Sequence, residues 1–160
     1  MKKLIATDDS WTGFILRVGL AVVMLPHGAQ KVLGWFGGAG IEKTLVLFAT
    51  QMHIPAFLAV LVMAAEFLGS IGLLVGCLAR VAAFGITCVM IGAVAMVHWP
   101  NGLFMNWTGK QAGEGFEFHI LAITIAVAIM IVGAGRWSID SVLQSLYDKR
   151  GQDGGTVRPA

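Results

Sequence analysis

Three histidines, a lysine and a glutamate stand where the surrounding sequence is almost entirely apolar: His27, Lys31, Glu66, His98 and His119. Ionisable side chains in such company are costly unless they face an interior and find partners there. Three kinds of chemistry use this set. Histidine is the usual metal ligand and can hold haem iron axially, which makes His27, His98 and His119 candidate metal ligands. No HxxxH or CxxCH spacing singles out that use. Lysine and histidine donors also suit the carbonyl oxygens of a quinone head group, with histidine taking up or releasing the protons of the two-electron couple. A glutamate deep in an apolar stretch, flanked by histidine and arginine, is what a proton-coupled transporter needs.

The same residues have structural readings. Arg17 and Glu66 suit a buried ion pair that fixes helix register, since at helical rise their depths differ by only about 7 Å. Lys31 suits snorkelling toward an interface. His98, beside Trp99 and Pro100, suits an interfacial position, and His27 and His119 suit hydrogen-bonded structural roles.

The background explains why these side chains stand out. Of 160 residues, 57% are hydrophobic and 12% charged, and the mean hydropathy is +0.79. A soluble domain carries about 25% charged residues. So short a chain cannot enclose this much apolar surface, and the implied solvent is lipid. A net charge of +2 with scattered basic residues leaves no nucleic-acid footprint. Cys77 and Cys88 lack CxxC spacing and read as small hydrophobes rather than a redox pair. Lys2 and Lys3 before an apolar run resemble a leader. However, Asp8, Asp9 and Arg17 interrupt the pattern, and 26–31 is a poor cleavage site, so the segment is expected to be retained.

The elements that must position the polar residues follow from hydropathy. Stretches 14–33, 54–76, 81–99 and 116–133 approach the roughly 20 residues that a helix needs to cross a bilayer. The expected fold is all-α: a four-transmembrane-helix bundle forming one membrane domain over 1–147, with a disordered polar tail over 148–160. Within the first long loop, 34–53, Ile41, Leu45, Phe48 and Met52 recur at helical spacing and predict an interfacial amphipathic helix. Gly72 with Gly76, Gly85 with Gly92, and Ala122 with Ala126 would let helices approach closely.

With four crossings, one side holds Lys2, Lys3, Arg80, Arg136, Lys149, Arg150 and Arg158, and the other holds Lys31, Lys43 and Lys110. This asymmetry places both termini in the cytoplasm. His27, Lys31, His98, Glu117 and His119 then gather toward the outer side, with Glu66 roughly 18 Å in from the outer end of its helix. Arg17, His27 and Lys31 share an arc of about 80° on the first helix. Glu117 and His119 point in opposing directions, so His119 is expected in the pocket and Glu117 at its rim, paired with Lys110 or Lys31. Met24, Phe36, Trp99 and Phe116 are the expected apolar lining.

These residues in their order and spacing resemble the DoxX family of small bacterial membrane proteins. The matching stretches are Arg17-Val18-Gly19 with His27-Gly28-x-x-Lys31, Trp35-Phe36-Gly37-Gly38, and Ile54-Pro55 leading to Ala65-Glu66-x-x-Gly69. They continue through Leu78-Ala79-Arg80, His98-Trp99-Pro100-Asn101-Gly102, Gly115-Phe116-Glu117-Phe118 and Gly133-Ala134-Gly135-Arg136-Trp137-Ser138-x-Asp140. The resemblance implies a four-helix protein of the bacterial inner membrane. It also implies a redox role, because the family takes its name from subunits of an archaeal quinone-linked thiosulfate oxidoreductase. Other members are linked to redox and thiol-stress complexes. Carried over, His27, Lys31, Glu66, His98 and His119 become candidates for a quinone site. With no soluble catalytic domain after the fourth span, thiosulfate oxidation would need a redox partner. The expectation is therefore a membrane subunit of a quinone-linked oxidoreductase. The alternatives are a non-catalytic scaffold or a small proton-coupled transporter, whose path a homo-oligomer would enlarge.

Overall fold

The computed structural model describes residues 2–153, with side chains described to residue 150. It is helical, and no strand occurs among the described residues. In order come α1 (Lys2–Ile5), α2 (Trp11–Leu33), α3 (Gly40–Thr50), α4 (Ala56–Val75), α5 (Ala79–Ala93), α6 (Glu117–Val132) and α7 (Ile139–Asp153). The helix of α5 runs on through a π turn, Val94–His98, and a 3-10 turn, Trp99–Asn101.

Local chemistry sets the boundaries. Ser10 caps α2 by accepting from the Gly13 N–H at 3.2 Å, and Gly34 ends it in the left-handed region at φ 70°. Pro55 opens α4, whose end is set by Gly76 at φ 68°. The following turn is tight and places Leu78 at φ 49°. Asp140 holds that conformation: its carboxylate accepts from the Leu78 and Ala79 N–H groups at 2.8 and 2.9 Å. A buried carboxylate on the first free amides of α5 satisfies orphan donors and complements the positive end of the helix dipole.

Helices α2, α4, α5 and α6 pack in a ring, α2 on α4, α4 on α5, α5 on α6 and α6 back on α2. Leu20, Met24, Leu73, Ile86, Met90 and Ile129 fill its centre. Small residues decide how closely the helices approach, in ways the spacing only partly foretold. Ala122 and Ala126 are buried, and a Cβ on Gly85 would sit 3.2 Å from that of Ala65. Gly72 and Gly76 serve the turn after α4 instead of a helix contact: Gly72 O accepts from Cys77 N at 2.8 Å. The closest approach lies elsewhere, at Gly28, where a Cβ would lie 2.6 Å from the Phe67 backbone.

Most of the outward face is apolar. Ile15, Val22, Leu61, Phe84, Ile131 and Leu121 all stand at least 59% exposed, a surface that only lipid or another apolar partner covers. Three helices, Trp11–Leu33, Ala56–Val75 and Ala79–Asn101, have the length and hydropathy to cross a membrane. The protein is a multi-pass membrane protein. Helix α6, with 16 residues, is about 24 Å long, shorter than the roughly 30 Å hydrocarbon core.

Two expectations need correction here. Residues 148–153, expected in a disordered tail, continue α7; Asp148 pairs with Lys2 at 2.8 Å, which also brings the two ends of the chain to one end of the ring. The remaining 154–160 lie outside the described residues. Arg17 does not pair with Glu66. Its buried guanidinium donates to five backbone carbonyls: Ala134 (2.8 Å), Leu73 (2.9 Å), Leu74 (2.6 Å), Arg136 (3.0 Å) and Trp137 (2.8 Å). The last turn of α4 leaves unpaired carbonyls at the negative end of its dipole, and a planar fork of five N–H donors satisfies them better than one carboxylate satisfies the fork.

Candidate functional site

Gly28 sets the geometry of the site. Without a side chain there, α2 lies against the α4 backbone at Glu66 and Phe67. Lys31, one turn on, then reaches the carboxylate of Glu66, Nζ to Oε2 at 2.5 Å. The Glu66 side chain is 5% exposed and that of Lys31 27%. The pair is buried at its acidic end and opens toward the outside at its basic end. Ser70 Oγ donates to the Glu66 carbonyl oxygen at 2.5 Å, so the backbone there carries an extra bond.

The opposite wall comes from the end of α5 and the start of α6. A π turn inserts a residue into the helical register, and His98 sits at its last position. Its Nδ1 lies 2.8 Å from the carbonyl oxygen of Glu114. A carbonyl only accepts, so the ring donates through Nδ1–H, and the neutral ring keeps a free lone pair on Nε2. The His98 and His119 rings are 4.2 Å apart between centroids. His119 is 6% exposed, and its Nδ1 is buried without a hydrogen-bond partner. His27 approaches Phe118 at 6.2 Å between centroids.

These side chains surround one cavity of 370 Å³, walled by His27, Lys31, Glu66, His98 and His119 with Met24, Phe118 and Met105. Of the expected apolar lining only Met24 is there. Trp99 and Phe116 stack on each other in a separate depression, 5.4 Å between centroids. Phe36 is 68% exposed and packs edge-on against Trp35. Their aromatic type gave the right depth in the chain but not the side of the helix. Among the described residues, no three His, Cys, Asp or Glu side chains converge as a metal-ligand set, so His27, His98 and His119 do not form one.

Besides the helix residues Met90, Ala93 and Phe118, two loop residues of the wall escaped the sequence reading. Glu114 lines the cavity, accepts through its carbonyl from Asn101 at 3.1 Å and His98, and accepts through its carboxylate from the Asn106 N–H at 2.7 Å. Met105 closes the same rim. Neither stands out by type in a polar, glycine-rich loop. Glu117, expected to meet Lys110 or Lys31, instead accepts from the Met105 N–H at 2.9 Å. Together Glu114 and Glu117 fold loop 102–116 over the cavity mouth.

The sequence profile of the DoxX family matches residues 13–99, more than half of the chain. The chain belongs to the DoxX family. The matched stretch carries Arg17, His27, Lys31, Glu66 and His98. The DoxX match ends before Glu114 and His119, so the far wall of the cavity rests on the structure alone. Comparison with curated proteins and with solved structures gives no match.

Proposed function

We propose that this DoxX protein is the membrane subunit of a quinone-linked oxidoreductase, and that the cavity between α2, α4, α5 and α6 is its quinone head-group site. The observation that carries the reading is the buried, unpartnered Nδ1 of His119 in a cavity that also presents Lys31 and His98. A buried polar atom without a partner costs about 1–3 kcal/mol, a cost that a ligand hydrogen bond removes. When bound, a quinone supplies a two-electron, two-proton couple. Lys31 offers N–H donors to a carbonyl oxygen. In the reducing direction, with electrons from a partner, the two protons of the couple come from water, and His98, its Nδ1 committed to Glu114, offers Nε2 as a hydrogen-bond acceptor to a hydroxyl of the quinol formed. Glu66 holds the Lys31 ammonium in place and balances its charge away from water. Electrons would come from a soluble or membrane partner.

In this reading α6 is a fourth crossing, its short length made up by neighbouring loop and by local thinning of the bilayer. Lys2, Lys3, Arg80, Arg136, Lys149 and Arg150 lie toward the end of the ring that carries both chain ends; Lys31, Lys43 and Lys110 lie toward the other. That bias supports cytoplasmic termini, an inner-membrane location and a cavity facing outward. Helix α3, with Phe48 buried and Ile41 and Val46 outward, lies along the outer interface.

The test is a binding titration of ubiquinone and menaquinone homologues on the protein in phospholipid nanodiscs. His119→Leu and His98→Leu should each weaken binding about tenfold, the equivalent of one lost hydrogen bond; thermal stability is kept in His119→Leu, whose Nδ1 has no protein partner, and falls slightly in His98→Leu with the loss of the bond to Glu114. A wild-type protein that binds no quinone, or variants that lose stability and no ligand, would return the protein to the scaffold reading.

A further inference from the structure

A second and larger hollow, 680 Å³, lies on the lipid-facing side between α3, α4 and α5. Its walls are Phe48 of α3, Leu58 and Leu61 of α4, Phe84 and Gly92 of α5, and Met96 of the π turn. Leu61, Phe84 and Met96 are more than half exposed, so the hollow is open to the lipid phase. Its polar residues are not scattered. Lys31, Glu66 and His98, with Ala93, line this groove and the polar cavity alike. The two spaces therefore meet across the Lys31–Glu66 pair and His98, one within the ring and lined by the titratable side chains, the other beside it and lined by apolar ones.

We infer that the groove holds the isoprenoid tail of the ligand whose head group occupies the cavity, and that it is that ligand's lateral entrance from the bilayer. The inference rests on the quinone reading and adds the substrate class: a long-tailed, membrane-dissolved quinone, taken from lipid rather than water. Continuity with the polar cavity is what commits the groove to this occupant. A tail emerging past Lys31 and His98 meets only apolar side chains until it reaches lipid. Enclosure between α3 and α5 removes tail surface from the membrane at little cost, while the head group leaves the bilayer for hydrogen bonds. The groove also explains an unfilled glycine. Gly92 lines it, and a Cβ built there meets nothing within 4 Å, although glycine inside a helix is unfavourable by about 1 kcal/mol relative to alanine. Unlike Gly28 and Gly85, Gly92 permits no helix contact, which is also true of Gly19 in α2; at the groove wall the missing side chain leaves room for the tail.

Gly92→Phe and Gly92→Leu add bulk at a position that lines the groove and not the cavity, and Gly92→Ala is the small control. The measurement is the affinity of wild type and variants for a long-tailed ubiquinone and for its one-isoprene homologue, in nanodiscs of phosphatidylethanolamine and phosphatidylglycerol. The groove predicts that Phe and Leu, by occupying the tail's path and forcing it out of van der Waals contact with the groove walls, weaken the long-tailed ligand by about tenfold or more. The one-isoprene homologue should stay within about twofold of wild type, and alanine should change neither by more than that. Equal affinity of Gly92→Phe and wild type for the long-tailed quinone would overturn the groove while leaving the head-group site standing. An equal fall for both ligands would also overturn it, because the cavity itself would then have been disturbed. Failure of wild type to bind either ligand would remove the quinone reading and the groove with it.

Discussion

Replacing Arg17 by methionine separates the two accounts of its burial. The guanidinium is 1% exposed and spends its donors on the carbonyls of Leu73 and Leu74 at the end of α4 and of Ala134, Arg136 and Trp137 before α7. Hydrogen bonds from a charged donor are worth about 1.5–3 kcal/mol each. Five at face value would rival the roughly 5–15 kcal/mol that holds a whole domain. Much of that sum is cancelled by taking the guanidinium out of water. Arg17→Met strands no charge but orphans carbonyls at about 1–3 kcal/mol each, several of them only partly buried, so a net loss of about 3–5 kcal/mol is expected. Arg17→Lys, a compact charge without the fork, should cost about 2 kcal/mol, since orphaned carbonyls cost about 1–3 each. Steric trapping in bicelles, or reversible SDS unfolding followed by circular dichroism, measures both. A loss below about 1 kcal/mol for Arg17→Met would refute the account. So would coupling to Glu66: with no shared partner, Arg17→Met and Glu66→Gln should add to within about 0.5 kcal/mol.

Three further outcomes follow from the site. Lys31→Met strands the Glu66 carboxylate and should destabilise by about 3 kcal/mol, whereas Lys31→Met with Glu66→Met should return to within about 1 kcal/mol of wild type; a double variant as unstable as the single one would sink the pairing. Gly28→Ala forces a Cβ to within 2.6 Å of Phe67, so α2 and α4 must part, at a cost of about 1–3 kcal/mol and with weaker quinone binding; unchanged unfolding would show that the contact is not tight. In a background with Cys77 and Cys88 replaced by serine, Lys43→Cys should react with an impermeant maleimide from outside intact cells and Lys149→Cys only after lysis. The reverse pattern would invert the topology.

Residue type in context was enough to pick out the polar side chains. His27, Lys31, Glu66, His98 and His119 are conspicuous because a helix in lipid has no cheap reason to carry them, and the structure brings all five around one cavity. Partnership was less legible. Charge suggested Arg17 for Glu66, but what Arg17 takes are backbone carbonyls, of Leu73, Leu74, Ala134, Arg136 and Trp137, on which side-chain identity carries no signal. Glu66 takes Lys31 because Gly28 draws two backbones together, and a spacing pattern on one helix does not reveal what the next helix presents. The π turn at Val94–His98 shifts register after α5, so faces counted at a uniform helical step misplace Trp99. Glu114 was invisible because its first contribution is a backbone carbonyl.

The two ends of the ring treat their polar groups in opposite ways, and the contrast bears on function. At the end that carries both chain ends, Arg17 closes the last turn of α4. Arg80 does the same for α6, donating to the carbonyls of Met130 and Ile131 and to Ala6. Asp140 closes the first turn of α5. Each of these charged groups is spent on backbone that the fold itself leaves unpaired. At the other end Glu114 and Glu117 are likewise spent on the Asn106 and Met105 N–H groups, but the remaining titratable groups of the cavity are not. Lys31 is half-committed to Glu66, His98 keeps one nitrogen free, and His119 keeps a buried nitrogen with no partner at all. A fold that satisfies buried polar groups so fully at one end has the means to do so at the other. Local rules broken in one place and kept elsewhere mark the place where something else completes the set. In the quinone reading a head group would complete it, and the apolar groove that shares Lys31, Glu66 and His98 with the cavity would be its way in from the membrane.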